Sequence, residues 1–191
     1  IWAIIVIAIG LATIGNCASD AQLVGIDATF ATLLVGLVST CNGLARIVIG
    51  IVYDKTNVKT TMLLDGLVAV AATFCIVGAF VTGISALYIA GAFCCGFCYG
   101  GVPVVASAFS RQRFGSKNYP LNLSLANFAI AFGSLLNIVV SSAVGGAENR
   151  LAVFAVMAVL SVAATINVLP FSKIWNRDMA MLEKRRSSAS Q

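Results

Sequence analysis

Long apolar runs separated by short polar breaks are the dominant pattern of this chain. The runs are continuous, without the alternation typical of barrel strands, and a helix needs about 20 apolar residues to cross a hydrocarbon core about 30 Å thick. The pattern therefore predicts an all-α membrane protein with a basic tail over residues 171–191. Six transmembrane helices are expected, near residues 1–15, 28–53, 61–81, 85–109, 121–144 and 151–170.

Composition supports a membrane location and removes several kinds of chemistry. Of the 191 residues, 60% are hydrophobic and only 10% are charged, whereas a soluble domain is usually about 25% charged. The mean hydropathy is +0.98. The chain contains no histidine, so a Ser-His protease site, a His-ligated haem and a His-containing zinc site have no candidate residues. An enzyme is disfavoured, and no cofactor is expected.

The basic residues predict the orientation of the helices, because cations near span ends are retained in the cytoplasm. Only Arg150 falls on the outer side of the six-span plan. We expect the turn at Asp54, the 110–120 loop and the tail to be cytoplasmic, whereas the loops at Asp20 and Glu148 face outward. The net charge of +5 is then a topology signal and no sign of nucleic-acid binding. Ten cations lie on the cytoplasmic side: Lys55, Lys59, Arg111, Arg113, Lys117, Lys173, Arg177, Lys184, Arg185 and Arg186.

The chain begins IWAIIVIAIGLATIG, inside an apolar run and without a methionine or a flanking charge. Six spans with a cytoplasmic C-terminus place this start in the cytoplasm too, yet the first run is several residues short of a full span. A signal peptide does not fit, because there is no basic leader or cleavage pattern. We therefore expect a fragment of a longer protein.

The fourth span carries cysteine and glycine patterns. Cys95-x-x-Cys98 has the spacing of a metal or redox pair, but a single pair lacks the second pair that a zinc site needs. Cysteine also packs as a small apolar residue, and packing is the interpretation favoured for all six cysteines. Gly96-x-x-x-Gly100 favours close contact between two helix backbones. Pro103 removes a helix hydrogen bond and allows a bend.

One permanent cation lies inside the second span, in the stretch NGLARIVIGIVYDK. Arg46 is about 12 Å along the helix from Asp54, and a cation at that depth costs about 2.5–3.5 kcal/mol of insertion free energy. The residues on the same side of the helix as Arg46 predict that this side faces the bundle interior or an aqueous cavity, where the planar guanidinium can bind an anion. Polar and small residues share this side of the helix: Thr32, Ser39, Asn42, Gly50 and Tyr53.

Structural interpretations of Arg46 remain open. The side chain could extend along its own stem toward the cytoplasm, or it could pair with Asp65 near the start of the third span. The fifth span carries a second polar stripe, with Ser124, Asn127 and Ser134 on one side. Polar packing between helices explains this stripe about as well as a binding site does.

The stretch GIVYDK at residues 50–55 resembles the G-x-x-x-D-[RK] loop of major facilitator superfamily transporters. Together with YGGVP and the RFGSKNY loop before the fifth span, NGLARIVIGIVYDK is similar to the carboxy-terminal half of the oxalate/formate antiporter family. The resemblance implies helices seven to twelve of a twelve-helix fold. In such a fold, two six-helix halves built of inverted repeats rock around a site at the midplane.

The resemblance also implies roles for single residues in substrate binding. Arg46 matches the substrate-contacting arginine of the eighth helix, and Tyr99 matches an aromatic residue of the tenth-helix site. Asn127 stands where oxalate carriers place a lysine. Because one fixed cation neutralises a dianion poorly, a monocarboxylate is the expected substrate. Asn42, which shares the Arg46 stripe, completes the predicted substrate-binding residues.

The same resemblance assigns Gly50, Asp54 and Lys55 to a conformational gating loop. The loop departs from the family pattern, since it continues TNVK at residues 56–59 where G-[RK] is usual. No metal site is expected, and the predicted partners are an organic anion, the lipid bilayer and an absent amino-terminal half.

The predicted function is secondary active transport of a small organic anion by alternating access, in the plasma membrane. The alternative is a structural or assembly subunit without transport, in which Arg46 pairs with Asp65. The sequence shows no obvious carboxylate relay deep in a span, so proton coupling through these six helices is not expected.

Overall fold

The computed structural model describes the backbone of residues 1–189. Side chains are described throughout that range except at 147, 171–176, 178–179 and 182–189. The described chain is all helical and has no strand, and a short 3₁₀ turn at Gly146–Asn149 precedes the last helix. The α-helices are α1 Trp2–Leu23, α2 Ala28–Lys55, α3 Val58–Thr82, α4 Ser85–Phe114, α5 Tyr119–Ala143 and α6 Arg150–Ala189.

All six helices are long and apolar enough to cross a membrane, and in α6 the apolar part is Arg150–Pro170. The prediction of six transmembrane helices in an all-α fold is therefore confirmed. The architecture is that expected for one six-helix half of a twelve-helix fold. The segment predicted as a basic tail continues α6 as helix to Ala189, and residues 190–191 lie outside the described residues.

Capping side chains explain where α2 and α3 begin. The Asp27 carboxylate accepts hydrogen bonds from the backbone N–H groups of Thr29 and Phe30 at 2.9 and 3.1 Å. Asn57 caps α3 in the same way, by accepting from the N–H of Thr60 at 2.9 Å. Such caps satisfy N–H groups that have no partner within the helix. The polar breaks at 24–27 and 56–57 thus set the starts of α2 and α3.

The first helix is longer than the sequence pattern predicts. It continues past residue 15 to Leu23, and Asp20, which we expected in an outward loop, lies within it. Asn16 and Ser19 do not interrupt the helix, because each side chain donates to a helix carbonyl oxygen, at 3.1 and 2.9 Å. Polar side chains that bond back to their own helix can remain in it. The predicted boundary was therefore wrong by about two turns of helix.

Arg150 is also placed differently from the prediction of an outer loop cation. It begins α6 and is only 6% exposed. Its Nε and Nη2 atoms donate to the two Asp20 carboxylate oxygens, both at 2.7 Å, and Nη2 also donates to the Ala12 carbonyl oxygen at 3.0 Å. The guanidinium carbon lies 5.2 Å from the centre of the Phe154 ring. This buried clamp joins α1 to α6 at one end of the bundle.

Close backbone contact between α4 and α2 follows from the glycines of α4. A Cβ atom added to Gly96 would lie 2.8 Å from the Val38 carbonyl oxygen, and one added to Gly100 would collide with the Asn42 carbonyl oxygen. The Gly96-x-x-x-Gly100 spacing predicted such a contact. Nearby, Cys95 and Cys98 are buried in the core as free thiols.

Helices α2 and α5 are the least covered by the rest of the chain. Only 17% of the residues in the apolar stretch of α2 and 11% of those in α5 are buried, against 56% for α1. Their open sides carry large apolar side chains, such as Leu44 at 58% and Phe128 at 59% exposure. In a membrane these sides face either lipid or other helices.

Candidate functional site

A cavity of about 110 Å³ lies between α1, α2, α4 and α5. Arg46 of α2, Tyr99 of α4 and Asn127 of α5 all line it. Three residues that the sequence predicted as substrate contacts therefore meet at one place. The rest of the wall is apolar and mostly small: Ala3, Ile7, Val102, Pro103, Ala106, Ala126, Ala129 and Ile130. We call this space the Arg46 cavity.

Helical spacing explains how α4 contributes its wall. Tyr99, Val102, Pro103 and Ala106 follow the i, i+3, i+4, i+7 spacing that places side chains on one face of a helix. Pro103 has no N–H group, so the Tyr99 carbonyl oxygen lacks its usual helix donor. Sequence reasoning singled out Tyr99 and Pro103 but missed Val102 and Ala106 as wall residues. Counting forward from Tyr99 at helical spacing would have found both.

The chemistry of the Arg46 cavity favours an anion. The Arg46 guanidinium, the Tyr99 hydroxyl and the Asn127 amide can each donate hydrogen bonds. No acidic side chain is part of the lining that the described residues form. The Arg46 and Asn127 side chains are exposed within this chain, and that of Tyr99 is half-buried. One cation without an acidic neighbour suits a ligand that carries a single negative charge.

Asn42, the fourth predicted binding residue, does not line the Arg46 cavity. It lies one helical turn before Arg46 and packs against Gly100 of α4, whose added Cβ would come 2.9 Å from the Asn42 Oδ1 atom. That Oδ1 atom is buried and has no hydrogen-bond partner within the described chain. The structure thus places Asn42 at the contact between α2 and α4.

Arg46 does not pair with Asp65. The Asp65 side chain is 0% exposed on α3, and neither of its carboxylate oxygens has a hydrogen-bond partner among the described residues. Asp65 packs against Gly101 of α4, where an added Cβ would lie 2.5 Å from Oδ1. The ion pair on which the purely structural interpretation of Arg46 depends is therefore not formed.

The predicted gating residues lie at the end of α2. Asp54 and Lys55 are exposed, and Gly50 is half-buried facing α4, where its added Cβ would lie 3.9 Å from a methyl group of Val104. Between Gly50 and Asp54, the Tyr53 hydroxyl donates to Oε1 of Gln112 at 2.8 Å. This hydrogen bond ties the end of α2 to the end of α4.

Asp54 borders a second, polar cavity of about 740 Å³ at this end of the bundle. The wall also includes Thr56 and Asn57 of the α2–α3 turn, Arg111 near the end of α4, and Ser116 of the α4–α5 loop. The two loops that the charge pattern assigned to one side of the membrane therefore lie together. Lys55 does not line this cavity.

The family model of the Major Facilitator Superfamily matches residues 1–188 of the chain. The match covers all six helices and both cavities. Neither the curated proteins nor the solved structures contain a match to this chain.

Proposed function

We propose that this chain, which belongs to the Major Facilitator Superfamily, transports a small organic anion by alternating access. Members of this superfamily are membrane transporters, and the six apolar helices make the chain an integral membrane protein. The proposed substrate is a monocarboxylate, as the resemblance to oxalate/formate antiporters and its departure at Asn127 suggest. The proposed setting is a secondary active carrier in the plasma membrane, with the C-terminus in the cytoplasm.

The observation that carries the proposal is the meeting of Arg46, Tyr99 and Asn127 in one cavity. A guanidinium can hold a carboxylate through two parallel N–H···O hydrogen bonds, and such charge-assisted bonds are stronger than neutral ones. The Tyr99 hydroxyl and the Asn127 amide are further donors in the same wall. A volume of about 110 Å³ suits a small molecule.

The charge of the Arg46 cavity supports a monocarboxylate over a dicarboxylate. Arg46 is the one cation in the described lining. A second carboxylate of the same ligand would have no cation opposite it, and an unpaired charge is costly away from water. Asn127 can donate a hydrogen bond there but supplies no charge.

Alternating access requires a second bundle, which we propose to be an amino-terminal six-helix half. The open faces of α2 and α5 flank the Arg46 cavity and are available to such a half. A site enclosed between two halves, each able to rock against the other, is the arrangement on which alternating access depends. The assembly-subunit alternative has no comparable support, because Asp65 offers Arg46 no ion pair.

Transport by the full-length carrier in proteoliposomes tests the proposal. We expect uptake of at least one labelled monocarboxylate from a panel of formate, lactate and pyruvate. Arg46→Gln removes the only cation in the described lining of the cavity and should abolish that uptake. Arg46→Lys keeps the charge but loses the bidentate geometry, so it should retain transport with weaker apparent affinity.

Lys117→Gln is the matched control, because it also removes one cation, from an exposed position that lines neither cavity. It should transport like the wild type. Uptake by Arg46→Gln equal to that of the control, at equal expression, would contradict the proposed role of Arg46.

A further inference from the structure

Asp65 is a fully buried carboxyl group that the proposed anion site does not use. It is 0% exposed and lies eight residues into α3. Neither oxygen has a hydrogen-bond partner within the described part of the chain. Asp20 is equally buried, but both of its oxygens accept hydrogen bonds from Arg150. Asp65 is therefore the buried acid that lacks a counter-charge.

The surroundings of Asp65 leave no room for a bound cation on the side of α4. A single carbon atom added to Gly101 would already lie 2.5 Å from Oδ1, and the same carbon would lie 3.2 Å from Ile49 of α2. Ile49 fills the space beside the carboxyl group with apolar surface. A metal ion needs several oxygen ligands around it, whereas a proton needs no additional space.

Few ionisable groups are near enough to compensate a charge on Asp65. Among the described residues, Cys98 of α4 is a titratable side chain within electrostatic range of Asp65, and a thiolate there would repel the carboxylate. On α2 the charged residues are Arg46, which lines the cavity, and Asp54 and Lys55 at the exposed helix end. None of the three hydrogen-bonds to Asp65.

Among the residues whose side chains are described, the remaining neighbours of α3 add no counter-charge. At Gly66, the residue after Asp65, α6 presents Thr165, whose Oγ1 atom would lie 2.7 Å from an added Cβ. Of the α6 cations whose side chains are described, Arg150 is committed to Asp20 and Arg177 is exposed. On α1, Cys17 and Asp20 lie toward the end of the helix at Leu23. On α3 itself, Lys59 lies within the first turn.

A carboxylate in these surroundings is far less stable than a carboxylic acid. Burial without a partner penalises the charged form most strongly, so such a group takes up a proton instead. Asp65 therefore carries its proton in the conformation described here. The acid O–H still lacks an acceptor, which makes this packing a strained one that a rearranged α3–α4 contact would relieve.

One turn of α4 separates Asp65 from the Arg46 cavity. Gly101 touches Asp65, and its neighbours Tyr99 and Pro103 line the cavity. Because Pro103 leaves the Tyr99 carbonyl oxygen without a helix donor, this turn deforms more easily than regular helix. A ligand that moves the cavity side of the turn therefore also changes the packing around Asp65.

We propose that Asp65 is a proton-binding site coupled to the Arg46 cavity through the 99–103 turn of α4, so that the carrier moves a proton together with its anion. This inference rests on the proposed function, and it replaces the expectation from the sequence that these six helices do not couple transport to protons. The conformation described here is accessible only with the proton bound to an Asp65 oxygen. In the alternate conformation, water reaches the carboxylate between α3 and α4 and accepts the proton.

Each transport cycle thus forms and breaks one O–H bond. A proton from water on one side of the membrane binds the carboxylate, and the same proton returns to water on the other side. A ligand shifts a conformational equilibrium only by its difference in affinity for the two states. A proton that binds Asp65 in one conformation and not in the other therefore makes the transport cycle dependent on pH. Low pH favours the conformation described here, and high pH favours the alternate one.

Infrared spectroscopy of the full-length carrier in membranes at neutral pH tests the site without any substrate. The wild type should show a protonated-carboxyl band that is lost in Asp65→Asn. Asp27→Asn is the matched control, because it neutralises an exposed helix cap that an asparagine also provides, and it should keep the band. Equal bands in the wild type and Asp65→Asn would overturn the proposal.

Gly101→Ala provides a second spectroscopic variant that keeps the acid. Its added methyl group presses on Oδ1, so the band should shift, whereas Gly36→Ala, whose added carbon meets nothing within 4 Å, should leave it in place. An unshifted band in Gly101→Ala would contradict the assignment of the band to Asp65 at this contact.

Pyruvate uptake into proteoliposomes tests the coupling. An inward proton gradient should drive wild-type accumulation above equilibrium. Asp65→Asn should lose this accumulation while retaining exchange of internal for external pyruvate, which also shows that the variant is folded. Gradient-driven accumulation equal to the wild type in Asp65→Asn would refute the coupling. If the wild type transports another monocarboxylate of the panel in place of pyruvate, the same measurements are made with that substrate; absence of wild-type flux of formate, lactate and pyruvate alike would count against the proposed function, and the spectroscopic result would then decide the proton site alone.

Discussion

At the scale of single residues, different side chains determine the charge and the shape of the Arg46 cavity. Arg46 supplies the positive charge, and alanines supply much of the remaining surface, at positions 3, 106, 126 and 129. Asn127 is the residue in this wall whose substitution would change the charge with least disturbance, because its side chain is exposed within the chain. The number of cations in the wall should therefore determine the charge of the preferred anion.

Asn127→Lys adds a second cation and should shift preference from monocarboxylates toward dicarboxylates. A hydrogen bond to a charged group contributes about 1.5–3 kcal/mol, so the affinity for oxalate relative to formate should rise about tenfold or more. Competition of unlabelled oxalate against labelled formate measures this ratio. Asn122→Lys, on the same helix but outside the lining, is the control. A ratio that rises equally in both variants would argue against a local effect.

At the scale of helices, the Asp20–Arg150 clamp fixes α1 against α6. Its carboxylate and guanidinium form two hydrogen bonds in a buried place, and the guanidinium donates a third to the Ala12 carbonyl. A buried pair contributes little net stability compared with apolar residues, but the loss of one partner leaves an uncompensated charge. The clamp therefore constrains the bundle mainly by penalising any rearrangement that separates α1 from α6.

Asp20→Asn should destabilise the protein by about 3–5 kcal/mol, because Arg150 then remains buried without its counter-charge. Thermal unfolding of the detergent-solubilised full-length protein measures the effect as a lower midpoint. Replacing both residues by apolar ones, as Asp20→Leu with Arg150→Met, should restore much of the loss. Glu148→Gln is the control, because Glu148 is exposed. Equal midpoints for Asp20→Asn and this control would show that the clamp is not formed in solution.

The helices were predictable from the sequence because each span is encoded by its own apolar run. The clamp was not predictable, because Asp20 and Arg150 are distant in sequence and each, taken alone, looks like an ordinary polar residue at the edge of a run. The Arg46 cavity was intermediate. Helical spacing and a family resemblance pointed to Arg46, Tyr99 and Asn127. That Asn42 packs against Gly100 and does not line the cavity depends on how closely α2 approaches α4, which the sequence does not reveal.

At the scale of the whole molecule, the two ends of the bundle differ in their polar groups. One end brings the α2–α3 turn and the α4–α5 loop together around a polar cavity that contains Asp54 and Arg111. At the other end, the Asp20–Arg150 clamp joins α1 to α6. Since most basic residues outside the spans belong to the first end, we predict from the positive-inside rule that this end faces the cytoplasm.

Labelling of single cysteines tests this orientation in intact cells that express the full-length carrier without its native cysteines. A membrane-impermeant thiol reagent added outside should react with Glu148→Cys and should miss Thr56→Cys and Ser116→Cys. Permeabilised cells, in which all three should react, provide the control. Labelling of Thr56→Cys and Ser116→Cys but not Glu148→Cys in intact cells would reverse the topology.

The incomplete enclosure of the Arg46 cavity has a consequence for how specificity can evolve. The side chains of Arg46 and Asn127 are exposed within this chain. In the proposed carrier, these six helices would therefore select a ligand by its charge, while the dimensions of the site would depend on the surface that faces them. Substitutions in α2 and α5 can then exchange one charge class for another, and changes in the opposing surface can alter the accepted length. The two traits can vary independently, which gives such a carrier two separate routes to a new substrate.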